Sequence, residues 1–241
     1  MIGTLRKHPS SENTLTFLLS THIALSTALI LWFSPITQPF CKQLDIWIFE
    51  AFNGSLTYGW WQKFWGILNH RREVTVNLIF AALLNVWAIG STKNKSLRVI
   101  RIKQLLYFWI CFEIGFTLQD VIFNKWLCVQ RDSPSLVLQP VIKLSEILQN
   151  INIKDSSTHS FPGGHAFALA YWASFSWLIS PKKIAFISVL FAGLLCFPRL
   201  MSGAHWASDV LFSILIALLW LSWTLYLPIY GRIVKPKTSH V

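Results

Sequence analysis

The chain has 241 residues, 54% of them hydrophobic and 13% charged, with a net charge of +11 and a mean hydropathy of +0.49. Soluble domains carry roughly a quarter charged residues, so the composition excludes an ordinary water-soluble domain. The basic excess is spread over short segments between apolar runs, which argues against a nucleic-acid surface.

In chain order, apolar runs of the length that crosses a bilayer are predicted near 14–33, 74–90, 105–123, 164–180, 184–200 and 207–228. The first is not a cleavable leader, because a polar stretch precedes it and no small-x-small cleavage site follows. Residues 44–68 alternate aromatic and polar side chains, including Trp60, Trp61 and Trp65. That pattern predicts interfacial helices rather than a full span. No repeat, low-complexity tract or linker divides the chain. The expectation is an all-α integral membrane fold: one domain over 1–241, about six transmembrane helices with short interfacial helices, and a motif-bearing core at about 105–228.

Charge orients the bundle. Arg6 and Lys7 open the chain, and Lys93, Lys95, Arg98, Arg101 and Lys103 fill the connection between the second and third runs. Lys182 and Lys183 lie between the fourth and fifth, and Arg232, Lys235 and Lys237 close the chain. With six spans these four segments share one side, which the positive-inside rule makes cytoplasmic. Both termini are then cytoplasmic, and 34–73, 124–163 and the turn near 199–206 meet on the outer face. In a Gram-negative cell that face of the inner membrane is periplasmic.

Two polar islands interrupt the apolar pattern on that outer face: Ser160-Phe161-Pro162-Gly163-Gly164-His165, and the stretch from Arg199 through His205 to Asp209. Phosphoryl transfer needs charge held on equatorial oxygens while a nucleophile attacks in line. Arginine matches phosphate geometry with paired donors, which suits Arg131 and Arg199 as clamps. Gly163 and Gly164 lead into a helix N-terminus, a natural anion site. His205 has Asp209 one helical turn on. A carboxylate on one imidazole nitrogen would fix the tautomer and leave the other to attack phosphorus. His165 stands where it can protonate the leaving oxygen. Arg72 and Lys125 are weaker phosphate-contact candidates.

Each of these residues has a bland reading as well. A histidine at a membrane edge is often structural, Asp209 can be a helix cap, and Gly163-Gly164 can be a bare turn. Their shared face and spacing favour the joint, chemical reading. His22 is expected to make a packing or interhelix bond, and His159 to be a loop residue. Glu113 and Asp120, on one helix face, either pair inside the bundle or line a path. The segment His70-Arg71-Arg72-Glu73 is either an interfacial anchor or a phosphate contact. Cys111 and Cys196 lie within apolar runs, while Cys41 and Cys128 can pair in an oxidising compartment or stay reduced. No metal-ligand spacing occurs, and neither a metal nor another cofactor is expected.

At these residues the chain resembles the type 2 phosphatidic acid phosphatase (PAP2) superfamily of membrane enzymes, whose motifs are Lys-x6-Arg-Pro, Pro-Ser-Gly-His and Ser-Arg-x5-His-x3-Asp. Arg199, His205 and Asp209 match the third, with Pro198 in place of its serine. Pro162, Gly164 and His165 match the second, with Gly163 in place of its serine. Arg131 matches the first but is followed by Asp132, and the motif lysine falls on Asn124, with Lys125 one residue out of register. The resemblance implies a six-helix fold with an outward site. It also implies His205 as nucleophile, Asp209 as its orienter, His165 as acid/base, and Arg131 and Arg199 as phosphate clamps.

Val129-Gln130-Arg131-Asp132-Ser133-Pro134, Ser145-Glu146, Lys154-Asp155, Phe197-Pro198-Arg199, Ala51-Phe52-Asn53 and Asn69-His70-Arg71-Arg72 are further similar to the lipid A 1-phosphotransferase subgroup. That likeness implies undecaprenyl diphosphate as donor and lipid A as acceptor on the periplasmic face. Two alternatives remain beside it. One is a hydrolase of undecaprenyl diphosphate or phosphatidic acid; the other is a non-catalytic lipid-binding or transport protein.

Overall fold

The computed structural model describes residues 11–234, so Arg6, Lys7, Lys235 and Lys237 of the charge map lie outside the described residues. Helix α1 (Ser11–Phe33) is followed by α2 (Gln38–Gly54), α3 (Gly59–Leu68), α4 (Glu73–Gly90) and α5 (Lys95–Asp120). A π-helical turn, Val121–Trp126, extends α5. Two single-turn helices, α6 (Pro134–Val137) and α7 (Leu144–Ile147), sit in the long connection that follows. The chain continues through α8 (Gly164–Ile179), α9 (Lys182–Met201), α10 (Ala207–Tyr226) and α11 (Pro228–Val234). Among the described residues no strand forms; there are only isolated bridges, His70 with Ile153 and Arg131 with His159.

Each of the six expected spans is a helix, and 44–68 falls on α2 and α3. Among the described residues four helices are long and apolar enough to cross a membrane: Glu12–Phe33, Lys95–Trp126, Lys182–Met201 and Ala207–Tyr226. This is a multi-pass membrane protein. Helix α4 is apolar over the shorter stretch Thr75–Gly90, and α8 has 16 residues, fewer than the ~20 of an ordinary span. The third run begins well before residue 105. Asn94 caps α5 by accepting the Leu97 N–H at 3.0 Å, and lysine and arginine propagate a helix as readily as leucine does. Part of the basic cluster also acts locally, because Arg98 donates to the carbonyls of Thr92 and Gly90 at the C-terminus of α4, where a cation is favoured.

Helix α8 is the central post. It packs against α9, α10, α5 and α4, and Phe167, Tyr171, Trp172 and Phe175, on several of its faces, are all essentially inaccessible. A helix apolar all round belongs inside a bundle. Helix α10 meets α5 across Gly115, where any Cβ would collide with the Trp220 indole, and that indole donates to the Cys111 carbonyl at 2.7 Å. At the bundle end where α8 begins, Leu56, Trp65, Leu144, Ile153 and Met201 form a second apolar cluster. Asn53 reinforces it: its amide donates to the carbonyls of Ile142 and Met201 at 2.9 Å and accepts the Ile142 N–H at 2.8 Å. This cluster fastens the 138–160 connection over the bundle end. Trp47, Tyr58, Trp60 and Trp126 are exposed there, as an interfacial belt requires.

Several minor expectations resolve at this level. His22 bonds the Leu18 carbonyl at 2.7 Å and packs edge-on against Trp223, and His159 is an exposed loop residue. Glu113 and Asp120 are exposed on α5 rather than turned into the bundle, and Asp120 accepts the Asn124 amide at 2.7 Å. All four cysteines are free, so Cys41 and Cys128 are not bonded to each other.

Candidate active site

Three connections converge at the start of α8. The first is the turn Ser202–Trp206 between α9 and α10. Gly203 adopts φ +78°, and a Cβ there would stand 2.8 Å from Phe49 Cε2 and 3.0 Å from Ser135 Cβ. Its carbonyl accepts the Ser135 N–H at 3.2 Å. Only glycine meets both demands without strain. Gly203→Ala is accordingly expected to destabilise the fold by about 1–3 kcal/mol, read as a lowered melting temperature of the protein in detergent.

His205 emerges from this turn, 5% exposed. Its Nδ1–H donates to the Ser160 carbonyl at 2.6 Å, so Nε2 keeps the free lone pair. The tautomer is the expected one, but the group that sets it is not: Asp209 Oδ2 lies 3.9 Å from Nδ1, too far for a hydrogen bond. Asp209 uses Oδ2 to accept the Trp206 N–H at 2.9 Å, reaching back from the first turn of α10, and Oδ1 to pair with Arg131. Asp209 therefore does not hold the imidazole directly. A main-chain acceptor carries no sequence signature, which is why no pattern of residues points to Ser160.

His165, also 5% exposed, enters from the first turn of α8. The two imidazole centroids are 4.9 Å apart with ring planes 32° from parallel, and His165 Nε2 is buried without a hydrogen-bond partner. Gly163 lies beside both rings: a Cβ there would be 3.6 Å from His165 Cε1 and 3.6 Å from His205 Nδ1. Its N–H is not left for an anion, because it donates to Ser213 Oγ at 2.7 Å, and that hydroxyl donates to the Asp209 carbonyl at 2.6 Å. Ser213 thus ties the two motifs together. Gly164 opens α8 against the Phe116 ring.

The cations divide differently from the expectation. Arg199, 3% exposed, is held near the end of α9 by the carbonyls of Lys154 and His70, each at 3.4 Å. Arg131, expected as a second clamp, is committed elsewhere. It pairs with Asp209 and with Asp45 (2.8 Å), bonds Ser208 Oγ at 2.9 Å, and lies over the rings of Trp32 and Trp206. Lys125 and Arg72 are exposed, on the π-turn and at the N-cap of α4 respectively. The lysine that bears on the site is Lys154. Its backbone carbonyl accepts from Asn69, Ser202 and Arg199, and its charge acts on both histidines.

Burial and these charges together set the state of His205. Burial first, then Lys154 and Arg199, push its pKa down to about 3, against the hydrogen bond to Ser160. The ring is neutral at physiological pH, as a nitrogen nucleophile must be. An unfolded histidine titrates near 6.5, so the stability arising from the neutral folded state is complete above that value. It is lost as pH falls from about 6.5 towards 3. Melting of the wild type in detergent should therefore drop more steeply between pH 7 and 4.5 than that of His205→Asn.

A neutral imidazole with one free nitrogen, a second imidazole beside it, a buried arginine, a half-buried lysine, and main-chain anchoring throughout suit attack on phosphorus. Residues 128–232, which contain both histidines, Arg199 and Lys154, match the family model described as the PAP2 superfamily. The chain is similar over this region to PAP2-superfamily membrane enzymes of the phosphatase/phosphotransferase kind. The chain is 28% identical over 210 residues to the lipid A 1-diphosphate synthase of Escherichia coli (strain K12), covering 84% of each. Its fold is also similar to the crystal structure of the first transmembrane PAP2 type phosphatidylglycerolphosphate phosphatase from Bacillus subtilis. That similarity has a TM-score of 0.52 and 17% identity, and covers 92% of this chain and 98% of the other. Within the PAP2 region, the first motif survives as the tethered Arg131, and the second and third as the facing histidines.

Proposed function

We propose that this enzyme transfers a phosphoryl group from a prenyl diphosphate, undecaprenyl diphosphate, to lipid A through a phosphohistidine at His205. The observation that carries the chemistry is the hydrogen bond from His205 Nδ1 to Ser160, which leaves Nε2 to attack with His165 alongside. In the first step Nε2 bonds to the terminal phosphorus as the P–O bond to the bridging oxygen breaks. The departing undecaprenyl phosphate takes its proton from His165, whose protonated form is disfavoured by burial and by His205, Arg199 and Lys154 and is restored by the negative charge of the bound diphosphate. In the second, His165 accepts a proton from the acceptor phosphate, whose oxygen bonds to phosphorus as the N–P bond breaks and frees His205 Nε2. Arg199 and Lys154 hold the equatorial oxygens, and no metal or other cofactor takes part.

The acceptor is argued from the likeness to the lipid A 1-diphosphate synthase. The periplasmic face of the inner membrane is argued from the basic residues Lys93–Lys103, Lys182 and Lys183 at the opposite bundle end. The donor rests on the subgroup resemblance of residues 129–209. Facing histidines with an intact cationic surround argue against a purely lipid-binding role.

The deciding assay supplies purified protein in detergent with undecaprenyl diphosphate labelled in its terminal phosphate, with and without lipid A. Label in lipid A supports the transferase. Label appearing only as free phosphate when lipid A is present makes the enzyme a hydrolase with the same residues.

A further inference from the structure

Asp45 lies on α2, a helix that contributes nothing else to the chemistry, and no motif points to it. It is 4% exposed. Oδ1 accepts the Ser208 backbone N–H at 2.9 Å, while Oδ2 accepts the Ser208 hydroxyl at 2.5 Å and Arg131 Nη2 at 2.8 Å. Arg131 Nη1 continues the chain to Ser208 Oγ and to Asp209 Oδ1. Asp209 Oδ2 binds the Trp206 N–H, next in sequence to His205. The Arg131 guanidinium is bracketed by Trp32 at 4.8 Å and Trp206 at 5.4 Å. An unbroken carboxylate–guanidinium–carboxylate line thus runs from α2 to the turn that presents His205.

Such a line is a costly way to hold two helices together, because desolvating charges offsets most of their attraction and apolar residues of similar volume often serve the fold as well. What it does provide is direction. Bidentate and charge-assisted hydrogen bonds fix angles that apolar packing leaves loose. Displacing a reacting group by about 1 Å can slow a reaction about 100-fold. We infer that Asp45 is a positioning residue of the phosphoryl-transfer site: through Arg131 and the first turn of α10 it sets where Asp209 and the His205 turn stand against His165. The inference rests on His205 being the nucleophile, and it makes Arg131 a strut rather than a contact to substrate.

Asp45→Asn tests it. Asparagine keeps the volume and can still accept the Ser208 N–H, but it carries no charge to hold Arg131. In full-length protein with labelled undecaprenyl diphosphate, the single-turnover rate constant for phosphohistidine formation should fall about 100-fold, with KM within about threefold of wild type. A loss of folded protein alone would lower the amplitude and leave the rate constant untouched. In an Arg131→Ala background the same substitution should cost no more than about a further twofold, since both changes break one line. A wild-type rate constant in Asp45→Asn, or an undiminished loss in the Arg131→Ala background, overturns the proposal.

If Asp45→Asn yields no folded protein, Ser208→Ala takes its place, with a loss of about tenfold expected in the same rate constant and an unchanged value counting against the proposal. Wild type that forms no phosphohistidine sinks the nucleophile assignment itself. Wild type that forms one, beside an unaffected Asp45→Asn, sinks only the role of Asp45.

Discussion

Replacing His205 by alanine is expected to abolish phosphoryl transfer, lowering kcat by about four orders of magnitude or more and removing acid-labile, alkali-stable label from the protein. The size follows from its position in the site. His165 does not replace it: its Nε2 is also without a partner, but it approaches from α8 with its ring tilted 32° from His205 and serves as acid/base. The variant should fold: a smaller side chain leaves the turn's main-chain bonds to the Arg199 carbonyl in place, and it relieves burial of a polar ring. Full activity in a folded His205→Ala protein would remove the phosphohistidine from the mechanism. His165→Ala should behave differently, forming phosphoenzyme slowly and discharging it slowly, because one imidazole serves both half-reactions.

The second large effect concerns the cations. Arg199→Ala is expected to lower kcat/KM by about 10³-fold, the lower end of what a transition-state arginine contributes to phosphoryl transfer. Arg199→Lys should recover little of it, since a point charge cannot replace a planar fork held between the carbonyls of Lys154 and His70. Lys154→Ala should cost about 10²-fold, the usual loss for one electrostatic contact to a developing oxyanion. Lys125→Ala and Arg72→Ala, at exposed positions, should stay close to wild type. Steady-state kinetics of these variants on one labelled diphosphate checks the division. Loss at Lys125 with none at Lys154 would restore the motif position and discard the substitute.

Much of this was legible in the residues. The apolar runs, each of which falls on a helix, and the pairing of His165 with His205 follow from periodicity, charge and spacing. Local pattern was also enough to place Arg199 and Asp209 beside the histidines. The helix edges were less legible: α5 starts at Lys95 because an asparagine cap and helix-forming basic residues extend it past the apolar run. The partners were least legible. Arg131 reads as a phosphate clamp by its motif, yet Asp45, more than eighty residues earlier, holds it; Ser160 orients His205 through a carbonyl that any residue type possesses.

By itself the sequence determined the solvent of this protein, the places of its apolar helices, the end of the bundle where the polar islands gather, and the two imidazoles that face each other there. Those properties are additive along the chain, set by transfer free energies and by spacing within single helices. Which nitrogen of His205 is free, which lysine stands near the histidines, and whether an arginine is left for a substrate or held by a carboxylate were decided only by tertiary structure. Each depends on distances of roughly 2.5–4 Å between segments far apart in sequence, and a shift of one helical turn in α2 or in the 138–160 connection would reassign them all.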